Sequence, residues 1–164
     1  MNSNIEKLKT KYLRSVNAIN VVGVYSVIST ILFFVLKKYS IVQISETARW
    51  SNFLGLHINS NIVEYLGTSI SLFINLMLAF GCYLLSKKSK QGDIRFYFSF
   101  LVIYVVDSLV SIFYFDIYSF ILHLCVIGYL LYGYYMYTKL IVEYEKNKKN
   151  KDKRSDENGN TNNN

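Results

Sequence analysis

Asp107, Ser111, Ser119 and His123 lie inside a run of apolar and aromatic residues, "VVDSLVSIFYFDIYSFILHLC", where ionisable groups are costly. Asp107 and Ser111 are four residues apart, as are Ser119 and His123, so on helices each pair occupies one face. Asp107 with His123, and Ser111 with Ser119, share one midpoint at residue 115, so a tight helical hairpin reversing near Asp116 brings them level. At ~1.5 Å per residue, Asp107 lies roughly 13 Å from the outer end of its helix and His123 roughly 11 Å. Two chemistries fit such a pair. One is a hydrogen-bonded clip that fixes the register of the hairpin. The other is a protonation or cation site, since burial raises a carboxyl pKa, lowers an imidazole pKa and brings both near neutrality. A third outcome is that the two side chains point at different neighbours.

A second stripe, Glu64, Thr68, Ser71, Asn75 and Cys82, follows the three-and-four spacing of one helix face, with Asn75 at roughly 18 Å depth. Lipid disfavours such a stripe, so it turns inward. The expected interior seam is Asn75, Asp107, Ser111, Ser119 and His123, opening outward at Glu64 and Asp116. Asn17, Asn20 and Gly23, with Ser26, Ser29 and Thr30, are small or polar groups suited to close helix packing.

The elements that position these residues follow from the segregation of charge. Four runs, 15–36, 65–86, 96–115 (broken only by Asp107) and 117–138 (broken only by His123, neutral at pH 7), carry no charge. Each is close to the ~20 residues a helix needs to cross a ~30 Å hydrocarbon core. A soluble bundle would show a charged face on every helix, and these runs show none. The fold class is therefore expected to be all-α: a polytopic membrane protein with a four-transmembrane-helix bundle, its helices at about 16–36, 63–85, 96–115 and 117–137. Lys7, Lys9, Lys11 and Arg14 precede the first run, which is too long for a signal peptide and is read as a retained helix.

Basic residues set the orientation. Lys7 to Arg14, Lys87 to Arg95, Lys139 and the cluster from Lys146 to Arg154 fall on one side, against Lys37, Lys38 and Arg49 on the other. Both termini are thus expected to be cytoplasmic. The domain layout is a basic N-terminal segment (1–15), the membrane domain (16–138) with an external loop (37–62) and a cytoplasmic loop (86–95), and a basic then Asn-rich tail (139–164), mostly disordered. The same asymmetry accounts for the net charge of +7. Nucleic acid is not needed to explain it, and the expected partner of the basic residues is anionic inner-leaflet lipid.

Within the external loop, Ser45 offers an N-cap, and Trp50, Phe53, Leu54, His57 and Ile58 recur at helical spacing. This fits either a short helix lying in the outer interface or an ordinary packed loop. Tyr134, Tyr135 and Tyr137 suit an interfacial belt beside Lys139.

Several chemistries find no support. A metal site would want three or four ligands at one depth, and Cys125 is turned roughly 200° from His123. Cys82 and Cys125 differ by roughly 16 Å in depth, too far for a disulfide. Neither a C-x-x-C nor a serine hydrolase or phosphate-loop motif is present. Small four-helix multidrug transporters have similar size and topology, but they carry a carboxylate in helix 1, and here helix 1 has none. No cofactor is implied. Abundant Asn, Lys, Ile and Tyr with no Pro suits an AT-rich genome, hence the cytoplasmic membrane of a low-GC bacterium. The functional expectation is a non-enzymatic accessory, interaction or immunity-type membrane protein, working with a membrane-protein partner or as a homo-oligomer. The alternative is an oligomeric proton- or cation-linked small permease using the seam around Asp107 and His123.

Overall fold

The computed structural model describes residues 3–36, 45–61, 65–113 and 117–160, with the side chains of 60–61, 111–113 and 151–160 left aside. Five helices follow one another: α1 (Ser3–Leu36), α2 (Glu46–Asn61), α3 (Leu66–Lys90), α4 (Ile94–Phe113) and α5 (Ile117–Asn160). The described residues form no strand, and the fold is all-α. Among them, α1, α3 and the Ile117–Asn150 part of α5 are each long and apolar enough to cross a membrane.

Polar and apolar residues are arranged the opposite way from a soluble bundle. Ser26, Ser29, Thr30, Ser71, Asn75, Ser119 and His123 are buried between helices. Val21, Ile28, Phe73, Phe80, Ile103, Val106, Ile121 and Leu131 are exposed. In water that pattern would waste the hydrophobic driving force and would bring polar groups into a low dielectric. An apolar solvent reverses both terms, so the pattern is compatible with embedding in lipid.

At the end carrying Lys7–Arg14, Lys87–Lys90 and Arg95, here the basic end, tyrosine hydroxyls tie the helices together. Tyr12 donates to Ser89 O (3.1 Å), Tyr97 donates to Leu130 O (2.7 Å) and bonds Ser15, and Tyr137 donates to Gly92 O. Close approach makes this possible. A Cβ on Gly133 would collide with the Ser15 side chain and the Tyr97 hydroxyl, so α5 can lie against α1 and α4 only with glycine there. Gly23 likewise lets α1 lie on Ala79 and Cys82 of α3. The α3–α4 reversal takes only residues 91–93. Gly92, at φ 95°, supplies the left-handed residue that stops α3, and Asp93 accepts from Arg95 N (3.1 Å) to cap α4. The Arg95 guanidinium, also bonded to Asp93, holds that carboxyl below the usual carboxylate range.

Several boundaries differ from the sequence reading. α1 begins at Ser3 instead of about residue 16, because Ile5, Leu8 and Tyr12 continue its packed face through the basic segment. The loop expected at 86–95 shrinks to the 91–93 turn. α5 runs on to Asn160, through a tail expected to be mostly disordered from 139. Extending an existing helix adds one hydrogen bond per residue fixed and avoids the cost of nucleation, so a polar tail can follow a long helix without a core of its own.

Candidate functional site

The stretch read as an external loop contains α2, a 16-residue helix and therefore ~24 Å long. It folds back along α3 inside the bundle and does not lie flat on it. Asn59 donates to Thr68 Oγ1 (2.8 Å) and accepts from Gly67 N (2.8 Å), so α2 supplies a cap for the start of α3. Gly55 and Gly67 let the two backbones touch. One turn further in, Asn75 donates to Ser51 Oγ (2.7 Å), and Ser71 donates to Asn52 Oδ1 (2.7 Å). Beyond these contacts, Ser45 and Thr47 border a cavity of about 160 Å³ together with Leu78, Cys82 and Tyr104. Leu78 is already ~18 Å along α3 from Leu66. The start of α2 therefore sits at mid-depth of the bundle.

A helix start exposes unpaired amides and the positive end of a dipole, which are costly at that depth unless something answers them. Ser45 and Asp107 do so. The Ala48 amide lies at the limit of hydrogen-bond range from Ser45 Oγ (3.5 Å). The Asp107 carboxylate, reaching over from α4, accepts from Glu46 N (2.9 Å) through Oδ2 and from Thr47 N (2.9 Å) and Thr47 Oγ1 (2.7 Å) through Oδ1. Both oxygens are engaged. Asp107 is thus the charged N-cap of another helix.

Beside this cap, the Glu46 side chain is 1 % exposed and His123 is 0 % exposed. Glu46 Oε1 is 3.5 Å from His123 Nε2, and Glu46 Oε2 is 3.3 Å from Arg49 Nε. These are ion-pair distances. Neither oxygen, nor His123 Nε2, closes into a hydrogen bond among the described residues. On its other side, His123 Nδ1 lies 3.0 Å from the Tyr104 hydroxyl, and Arg49 Nη2 donates to Ser119 Oγ (2.8 Å). A continuous chain of polar groups results: Tyr104, His123, Glu46, Arg49 and Ser119, carried by α4, α5 and α2.

The structure thus distributes the expected site residues unevenly. Asp107 and His123 approach the same helix tip from α4 and α5. What each touches is α2: Asp107 its backbone amides, His123 the Glu46 carboxylate. Ser119 joins through Arg49. Asn75 is buried, but it belongs to the α2–α3 contact. Ser111 lies on α4 with its side chain outside the described residues, and Glu64 and Asp116, the expected outer mouth, lie outside them altogether. Trp50, Phe53 and His57 are helical and exposed, on the outward face of a helix whose other face packs on α3. The hydroxyl and amide face of Ser51, Asn52 and Asn59 decides that placement, because each of the three bonds to α3.

Glu46, Thr47, Arg49 and Tyr104 were missed by the sequence reading. Ser45 as a cap was the available signal, since a capped helix start with Glu46 in its first turn must be placed somewhere. Among the described residues, no three His, Cys, Asp or Glu side chains converge as a metal site, and Cys82 and Cys125 are free. Comparison with known proteins brings no relative: no family model, curated protein or solved structure matches this chain.

Proposed function

We propose that this chain is a multi-pass membrane protein in which α1, α3, α4 and α5 span the bilayer, α2 is re-entrant, and both termini are cytoplasmic. We further propose that it acts by interaction, as an accessory or immunity-type subunit, and not as an enzyme. The carrying observation is how the interior polar groups are used. Asp107 is spent on capping α2, Asn75 on Ser51, Ser119 on Arg49 and the tyrosine hydroxyls on backbone carbonyls. Such contacts hold a bundle in register. Recognition then falls to the exposed surfaces, notably Phe53 and Leu54 on α2, and to the basic end. Its lysines and arginines are suited to anionic inner-leaflet lipid, with a membrane protein or second copy of the chain as the partner. The low-GC bacterial source rests on composition alone.

A second reading, the oligomeric proton- or cation-linked permease, draws on one specific observation: the buried Glu46–His123 pair beside Asp107. Reconstitution into proteoliposomes separates the two. The interaction reading expects no pH-driven flux from the parent protein, together with photocross-linking from position 53 in native membranes to a discrete partner or second copy. Flux that disappears in a folded Asp107→Asn variant would replace it with the permease.

A further inference from the structure

We propose that the cavity between α3 and α4 holds part of one acyl chain of an anionic phospholipid, whose headgroup lies toward Lys88. The proposal rests on the membrane reading of these helices and adds to it a lipid seated at a defined place. The cavity, of about 160 Å³, is walled by Leu78, Gly81 and Leu85 of α3, by Phe100 and Ile103 of α4, and by Val22 of α1. Engineered apolar cavities of ~150 Å³ take up benzene, so the space suits a few methylene groups and not a whole lipid.

The walls decide what enters. Of the polar groups in the lining, Thr47 and Asp107 bond each other at the α2 end, and the Tyr104 hydroxyl lies 3.0 Å from His123 Nδ1. The six residues named above bring no polar side chain. A held water needs two to four polar partners, which these walls do not supply, and an empty space forfeits the dispersion contacts of its lining. An acyl chain restores those contacts, and a bilayer presents it at the opening without any transfer from water.

The opening lies at Gly81. Gly23 and Gly133 have neighbours that fill the place of a side chain, but a Cβ at Gly81 would meet nothing within 4 Å. Glycine there weakens the helix and leaves a gap in an exposed apolar face beside Phe80 and Leu84, opposite the exposed Ile103.

Charge selects the lipid. Leu78, Gly81, Leu85 and Lys88 recur at three and four residues, so they form one line along α3. Lys88 stands ~15 Å from Leu78 along the helix, toward the basic end. Its charge also acts on Asp93 at the start of α4, which puts Lys88 at the mouth of the same groove; Asp93 itself is paired with Arg95 at 2.9 Å. A headgroup beside Lys88 lets its chain run past Leu85 to Gly81, and the cation favours an anionic lipid over a zwitterionic one.

The test is photolabelling of the full-length protein in phosphatidylcholine vesicles that contain a low mole fraction of phosphatidylglycerol with a diazirine on one acyl chain. Mass spectrometry maps the adducts. They should concentrate at 78–85 and 100–103, above the yield at Ile28 and Ile121, which are exposed on other helices. Gly81→Leu fills the open space with a better helix former, so it should fold, lose the cavity adducts and keep those at Ile121. Lys88→Gln should lower cavity labelling about fivefold. A cavity yield no higher than at Ile121, adducts that survive Gly81→Leu, or equal labelling by phosphatidylcholine carrying the same diazirine overturns the proposal and leaves the membrane reading standing. Absence of adducts on every helix overturns both. Should Gly81→Leu fail to fold, Lys88→Gln decides alone: unchanged cavity labelling overturns the proposal.

Discussion

The two halves of the bundle are held together by different chemistry. At the basic end, α1, α3, α4 and α5 meet through neutral groups: tyrosine hydroxyls on backbone carbonyls, with Gly133 permitting the approach. Around the tip of α2 the contacts are charged, with a carboxylate on helix amides and a second carboxylate between imidazole and guanidinium. The first half can be assembled from any residues of suitable shape that satisfy the carbonyls, and the hydroxyl contacts between its helices carry no charge. The second exists because a helix begins beside α4 and its free amides take the Asp107 carboxylate as their acceptor. One region is held by packing and neutral hydrogen bonds, the other by contacts between charged side chains and a helix start.

The largest effect should come from removing the balance altogether. Asp107→Ala strips the amides of Glu46 and Thr47 and the Thr47 hydroxyl of their acceptor, at a cost of about 3 kcal/mol or more in unfolding experiments in detergent. Next comes the other half. Gly133→Ala drives a methyl group into Ser15 and Tyr97 and should cost about 1–3 kcal/mol, with stability otherwise flat against pH. Tyr97→Phe keeps the ring and removes the bond to Leu130 O, at a cost of about 1 kcal/mol. Asn75→Leu should be the mildest, about 0.6 kcal/mol, as is usual for one polar contact between helices in lipid. Equal losses for Asp107→Ala and Asn75→Leu would erase the distinction between charged cap and neutral contact.

How far the sequence led can be judged residue by residue. The start of α5 at Ile117 was legible because charge marks the ends of apolar runs, and the all-α class with long apolar helices because an uncharged run of about 20 residues permits few alternatives. The convergence of Asp107 and His123 on one place follows from counting outward from a tight turn. What they converge on was not legible. Glu46 stands between apolar runs, where a charge looks like a loop residue, and depth is not encoded locally. The Trp50, Phe53 and Leu54 stripe fits an interfacial helix as well as a re-entrant one. The choice was made by Ser51, Asn52 and Asn59 pairing with Ser71, Asn75 and Thr68, contacts between segments whose distance apart the sequence does not disclose.

The packing of α2 along α3 underlies the site. It is tested most directly by a disulfide trap between Ser51→Cys and Ser71→Cys, whose parent hydroxyl oxygens are 3.3 Å apart, in native membranes and a background lacking Cys82 and Cys125. Rapid, near-complete cross-linking within one chain under mild oxidant, seen as a linked peptide by mass spectrometry, is the expected result. Absence of that link in folded protein, with position 51 freely labelled by a membrane-impermeant thiol reagent, would put α2 outside the bundle and contradict the account.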